Sequence, residues 1–340
     1  MRVSNCKLFD IRHSTLDTGV SVGLAEQVMN GDEKSAARLI SLVERGGEEG
    51  HRELRKLFPL AHRAHVVGVT GPPGAGKSTV IGKLAVSLHD EGRSVAVLAV
   101  DPTSVKTKGA LLGDRLRMKE AEKKTGIFIR SMADRNYPGG ISQAAIGAVY
   151  VMEGLGKDVV LIESVGAGQS DKAILSLADT VITLFTPEYG DEIQLMKAGL
   201  LEIGDIVVLN KADKAGAETT ERALSASVQQ PTEGDWFIPV ITMKAQKGEG
   251  VEALKKAVEA HWKVLKGEKG KRRRGERVNV FMMGLLKEEL WKRFCEKLGV
   301  GTEYQKTRDE VRAGKLDPYT AVDRLLQKME DEGRGTTVTP

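Results

Sequence analysis

Residues 66–78 read Val66-Val67-Gly68-Val69-Thr70-Gly71-Pro72-Pro73-Gly74-Ala75-Gly76-Lys77-Ser78, and STVIGKLAVSLHDEG carries the chain on from Ser78 to Gly92. A short apolar run, a turn holding three glycines and a segment with apolar residues at helical spacing predict strand, loop and helix in that order. Residues 71–78 fit the pattern G-x-x-x-x-G-K-[ST], which composition alone would produce in roughly one chain of this length in a hundred. The glycines let consecutive backbone N–H groups turn inward around a phosphate, and the helix start adds its positive dipole end. Lys77 can then reach the outer phosphate oxygens, and Ser78 can offer an oxygen to Mg²⁺. The nucleotide-binding candidates of this stretch are Gly71, Pro73, Gly74, Ala75, Gly76, Lys77, Ser78 and Thr79.

Outward from the loop, six more apolar runs alternate with longer amphipathic segments: SVAVLAVD (94–101), GIFIRS (126–131), DVVLIES (158–164), TVITLFT (180–186), DIVVLN (205–210) and FIPVIT (237–242). Strands apolar throughout and separated by helices predict a doubly wound, mostly parallel α/β sheet covered on both faces, over residues 61–265. Residues 1–60 read as a helical extension, with Asp32 before a helix in which Ala36, Leu39, Ile40 and Val43 share a face and Gly46-Gly47 ends the run. Residues 266–330 read as a basic linker followed by a helical arm. The arm carries an apolar stripe of Val278, Phe281, Met282, Leu285, Leu286 and Phe294, and a second short helix after Pro318. Too few apolar residues remain there for an independent core, so the arm must pack on the α/β domain or on another subunit. The tail 331–340 is expected to be disordered.

Composition narrows the function classes. Of 340 residues, 41% are hydrophobic and 29% charged, an ordinary soluble composition. With no long apolar run and no apolar core near Met1, the chain is expected to be cytoplasmic, without a membrane partner. Cys6 and Cys295 stand far apart, so no Cys/His spacing suggests zinc, and bound metal would use oxygen ligands. The net charge of +4 is concentrated in Lys266 to Arg277, where seven cations meet two carboxylates, and only 4% of residues are aromatic. That leaves few platforms for stacking bases, and no nucleic-acid partner is expected.

Hydrolysis at a phosphate loop needs acidic groups at the carboxyl ends of neighbouring strands. Asp101 ends one apolar run and Glu163 another, the latter just before Val165-Gly166-Ala167-Gly168. Asn210-Lys211-Ala212-Asp213 follows DIVVLN at the same sheet edge. A carboxylate at Asp213 can accept from both N1–H and N2–H₂ of guanine, whereas adenine N1 is itself an acceptor, so GTP and GDP are favoured. Lys211 would lay its stem over the ring, and Asn210 would tie this loop to the phosphate loop. The run FIPVIT leads to Met243-Lys244-Ala245-Gln246, where Lys244 stands in place of the Ser that many GTPases carry and Ala245 keeps a backbone N–H for guanine O6.

With these motifs in place the chain resembles the MeaB/ArgK-type GTPases, G-protein chaperones of adenosylcobalamin-dependent acyl-CoA mutases. The resemblance runs from about Leu24 to Leu326 and rests most specifically on VLAVDPTS, LLGDRLRM (111–118), ESVGAGQS (163–170), YGDEIQLMKAGLLEIGDIVVLNKAD (189–213) and AGKLDPYTAVDRLL (313–326). It implies that Asp101 and Asp114 belong to the first switch and the Mg²⁺ shell. Glu163 would bind Mg²⁺ through water or position the attacking water, and Gly166, at the second switch, would be a nucleotide-binding residue. Asp191, Glu192, Gln194 and Lys197 match a third switch that couples nucleotide state to the mutase. The C-terminal helices resemble a dimerisation arm. The sequence departs from the family at GPPGAGKS, where GVPGVGKS is usual, at Thr107-Lys108-Gly109 and at Asn136 to Gly140.

The implied function is Mg²⁺-dependent GTP hydrolysis that gates adenosylcobalamin delivery, protection or exchange on a partner acyl-CoA mutase, with methylmalonyl-CoA mutase the commonest case. The cobalamin would sit on the partner, because this chain lacks D-x-H-x-x-G. Three rivals stand beside it. A nickel-insertion GTPase of the hydrogenase or urease type would need a His/Cys cluster, whereas only His62 and His65 are close in sequence and read as a solvated lead-in to the first strand. A transport-linked protein kinase would need a hydroxyl-substrate site with its own base. A scaffold that binds nucleotide without turnover is compatible with the altered loops.

Overall fold

The apolar run ahead of the phosphate loop forms the central strand β1 (His65–Thr70), buried at every position. In the computed structural model, the described residues are 22–61, 63–102, 121, 124, 126–134, 143–164, 177–187, 199–228, 236–297 and 303–334. Six further strands flank β1: β2 (Val95–Pro102), β3 (Ile127–Asp134), β4 (Val159–Glu163), β5 (Thr180–Phe185), β6 (Ile206–Leu209) and β7 (Val240–Thr242). Their order is β3-β2-β4-β1-β5-β6-β7, and every pairing is parallel. From β1 the chain runs out to β2 and β3, returns to insert β4 beside β1, and then builds β5 to β7 on the other side. All carboxyl ends therefore share one edge, and the winding reverses beside β1, where doubly wound sheets bind ligands.

The strands are apolar on both faces because helices cover both. Val67 and Val69 pack with α4 (Lys77–Asp90), while Val66 joins the opposite layer, which holds α5 (Gln143–Gly154) and the N-terminal helices. Those helices are α1 (Leu24–Met29), α2 (Glu33–Arg45) and α3 (Glu48–Leu57). Asp32 caps α2 by accepting from the backbone N–H of Lys34 and Ser35, each at 3.2 Å. Ala36, Leu39 and Ile40 are fully buried, in one core with Val160 and Ile162 of the sheet. On the first face α7 (Val251–Val264) packs beside α4, whereas α6 (Ala217–Ser227), which precedes β7, buries Leu224 with Val207 and Leu209 of β6 on the opposite face. Strand β7 begins only at Val240, because Pro239 has no N–H to give a ladder and Phe237 is exposed.

Three readings of the sequence change. The basic stretch is no linker: from Glu268 it is the first part of one 30-residue helix, α8 (Glu268–Lys297). Its arginines meet carboxylates far away in sequence. Arg273 forks onto Asp205 with two 2.7 Å bonds, and the fully buried Arg277 donates to Asp179 at 3.1 Å. An extra helix, α9 (Glu303–Arg312), precedes α10 (Pro318–Arg334), which takes in residues 331–334 of the expected tail. The rest of that tail lies outside the described residues. His65 is buried rather than solvated: it stacks on Trp262 at 4.2 Å and its Nε2 meets Thr180 Oγ1 at 2.7 Å. His62 lies outside the described residues.

Candidate functional site

The loop between β1 and α4 is held in shape from both ends. Gly71 has φ of 146°, and a Cβ there would lie 2.6 Å from the Leu184 carbonyl oxygen, so the loop can turn out of β1 against β5 only without a side chain. Gly76 has φ of 92°, and its missing Cβ makes room for the Asn210 amide nitrogen, 2.5 Å from where that carbon would be. Lys77 opens α4, and its Nζ donates to the carbonyls of Gly71 at 2.8 Å and Pro72 at 3.2 Å, which places the ammonium inside the loop.

A cavity of about 690 Å³ opens at this edge of the sheet. At one end, Gly74, Gly76, Lys77, Ser78 and Thr79 line it together with Glu163; at the other end are Asn210, Lys211, Asp213, Lys244 and Ala245. Ser78 Oγ donates to Glu163 Oε1 at 2.7 Å, so the end of β4 is brought against the start of α4 although the two residues are 85 positions apart. The Asn210 side chain joins the two ends of the cavity. Its Nδ2 donates to the Ala75 carbonyl at 2.8 Å, and its Oδ1 accepts from the Ala245 N–H at 3.1 Å. Lys211 has a φ of 57°, an uncommon conformation for a residue with a side chain. Lys244 pairs with Glu249 at 2.6 Å, and that carboxylate raises the lysine above its ordinary value while the ammonium lowers Glu249.

Of the residues singled out from sequence, Gly71, Pro73 and Ala75 belong to the loop without lining the cavity. Asp101 lies in β2, whose carboxyl end is at the same edge, but its side chain is outside the described residues, as are Asp114, Gly166, Asp191, Glu192, Gln194 and Lys197. Lys214, Gln246 and Lys247 also line the cavity and were not chosen as site residues. Their only signal is position, one or two residues beyond Asp213 or Ala245. Among the described residues no group of three or more His, Cys, Asp or Glu side chains could by itself hold a metal ion.

The profile of a family described as methylmalonyl Co-A mutase-associated GTPase MeaB matches residues 36–298. The chain belongs to the MeaB family. This MeaB-family chain is 39% identical to a putative GTPase of Pyrococcus abyssi over 90% of its own length and 96% of that protein's. A mitochondrial methylmalonic aciduria type A homolog of Caenorhabditis elegans is 31% identical over 89% of this chain and 82% of that one. The solved structure of a LAO/AO transport system kinase shares its fold, with a TM-score of 0.65 at 23% identity across 90% of this chain and 96% of that chain. As a member of the MeaB family, the chain is a P-loop GTPase that hydrolyses GTP. No helix among its described residues is long and apolar enough to cross a membrane.

Proposed function

We propose that this MeaB-family GTPase binds GTP and GDP with Mg²⁺ in the cavity, and that the nucleotide state gates adenosylcobalamin loading, protection or exchange on a partner acyl-CoA mutase. The partner is methylmalonyl-CoA mutase or a close relative, the protein acts in the cytoplasm, and the cobalamin stays on the mutase. The observation that carries the nucleotide part is the contact of Ser78 with Glu163, in a cavity whose far end holds Asp213. The mutase part rests on the family description and on the methylmalonic aciduria homologs among the relatives.

In this reading Asp213 accepts from guanine N1–H and N2–H₂, the Lys211 stem covers the ring, and the Ala245 N–H meets O6. Backbone N–H groups of Gly74 to Thr79 surround the phosphates, and Lys77 trades its two carbonyl partners for phosphate oxygens. A hydroxyl and a carboxylate 2.7 Å apart are hard oxygen donors, which suits Mg²⁺ bound by one or two protein oxygens plus phosphate and water. Ser78, Glu163, Asp101 and Asp114 would hold the ion, which when bound neutralises charge on the transferring phosphoryl group. Glu163 acts through the ion's water shell or directs the attacking water. Lys197 and its neighbours in the third switch pass the change to the partner. Residues 1–60 and 266–330 flank the GTPase domain of 61–265 as helical extension and dimerisation arm.

Phosphate release from Mg·GTP should be measured with the protein alone and after adding a cobalamin-dependent acyl-CoA mutase from the same source. Several-fold stimulation and a stable complex are expected. Turnover that ignores the mutase, with no complex, would remove the mutase from the reading and leave the GTPase in place.

A further inference from the structure

Glu163 is the last residue of β4, where the ladder to β1 ends. Val69 pairs with Glu163 in register, and the Ser164 N–H donates to the Val69 carbonyl at 3.0 Å. The two chains are then joined once more through side chains: Ser164 Oγ donates to Thr70 Oγ1 at 2.9 Å, both hydroxyls being buried. Thr70 directly precedes Gly71, whose carbonyl holds the Lys77 ammonium and whose backbone is wedged against Leu184. Thr70 is therefore a fixed point at the mouth of the phosphate loop. Ser164 directly follows the carboxylate that reaches Ser78.

A carboxylate at the end of a strand takes its direction from the backbone on both sides. Upstream, Glu163 is set by the sheet. Downstream, it is set by Ser164. We propose that the Ser164–Thr70 hydroxyl pair is a positioning device for Glu163, referencing the carboxylate to the phosphate loop beyond the last rung of the ladder. This rests on the reading of Glu163 as the group that acts on the ion's water shell or the attacking water. Loss of the pair leaves the backbone donors, Lys77 and the base contacts in place, so nucleotide binding is retained while the hydrolytic step is misaligned. One neutral hydrogen bond of ordinary strength corresponds to roughly a fivefold change in rate.

The test is steady-state hydrolysis of Mg·GTP by Ser164→Ala, Thr70→Val, the double variant and Ser164→Thr, with GDP affinity measured in parallel. Each single variant should lower kcat about three- to tenfold with KM and GDP affinity within about twofold, and the double should be no slower than the worse single. Ser164→Thr keeps the hydroxyl and should stay near wild type. Wild-type kcat in Ser164→Ala, losses that multiply in the double, or GDP affinity that falls as far as kcat would each overturn the proposal. Glu163→Gln separates the two readings. If it turns over GTP at the wild-type rate, the role of Glu163 fails and takes the pair with it. If it is slow while Ser164→Ala is not, only the pair fails.

Discussion

Asn210 and Asp213 stand three residues apart and do different work. Asn210 spends its amide on protein, bridging Ala75 and Ala245, whereas Asp213 lines the cavity. Base selection in the proposed site therefore falls on one carboxylate. Asp213→Asn replaces two acceptor oxygens by one acceptor and one donor. Guanine, which offers two donors to that position, should lose roughly 10- to 100-fold in affinity, the cost of a charge-assisted contact. Xanthine carries a carbonyl where guanine carries its 2-amino group, and the new amide can donate to it. Competition between GTP and xanthosine triphosphate should shift towards xanthosine triphosphate in the variant. Unchanged GTP preference would move the base away from Asp213.

At the scale of elements, the opposite end of the sheet from the cavity holds a buried polar chain. His65 Nε2 meets Thr180 Oγ1, the same oxygen meets His261 Nδ1 at 2.8 Å, and His261 Nε2 lies 3.5 Å from Asp205, which also takes the Arg273 fork. Burial, and then the neighbouring His261, Arg274 and Arg93, lower His65 from its ordinary 6.5 to about 3; burial also lowers His261 despite Asp205. A histidine with a depressed folded pKa takes up protons in the unfolded chain first. Its contribution to stability is complete above pH 6.5 and drains as pH falls towards 3, at up to about 1.4 kcal/mol per pH unit. Urea midpoints measured from pH 7.5 down to 4.5 should fall more steeply for the wild type than for His65→Gln. Parallel slopes would mean that His65 is not the group being charged. This chain of residues also marks the limit of what the sequence makes legible. The seven strands and the phosphate loop follow from apolar runs and local spacing. By contrast, the burial of His65 and the helical start of α8 depend on Trp262, Thr180, Asp179 and Asp205, partners brought near only by the fold. The contact of Ser78 with Glu163 lies between these cases: each residue ends or begins a readable element, and the parallel order of β1 and β4 brings them together.

For the whole molecule, α8 links the sheet to what lies outside it. Its first turns are pinned to Asp179 and Asp205, and Phe281 packs edge-on against Tyr150 of α5 at 5.3 Å. The expected apolar stripe divides: Val278, Phe281, Leu285 and Phe294 are half-buried, whereas Met282 and Leu286 are exposed, and so are Leu290 and Trp291, which were not part of that stripe, Leu290 to 57%. Helix α10 adds exposed Tyr319, Val322 and Leu326. Apolar side chains recurring every fourth residue along an exposed helix face are costly to leave in water, and a second arm presenting the same face would cover them. On the proposed dimer, Leu286→Glu with Leu290→Glu places two carboxylates on each arm inside the contact, where their desolvation is uncompensated. Sedimentation equilibrium at micromolar concentration should give twice the chain mass, 73.6 kDa against 36.8 kDa, for the wild type and the single-chain mass for the double variant. Both residues are exposed and neither lines the cavity, so GDP affinity should be preserved. A wild type that sediments as a single chain, or a double variant that remains dimeric, would place the function of this face elsewhere.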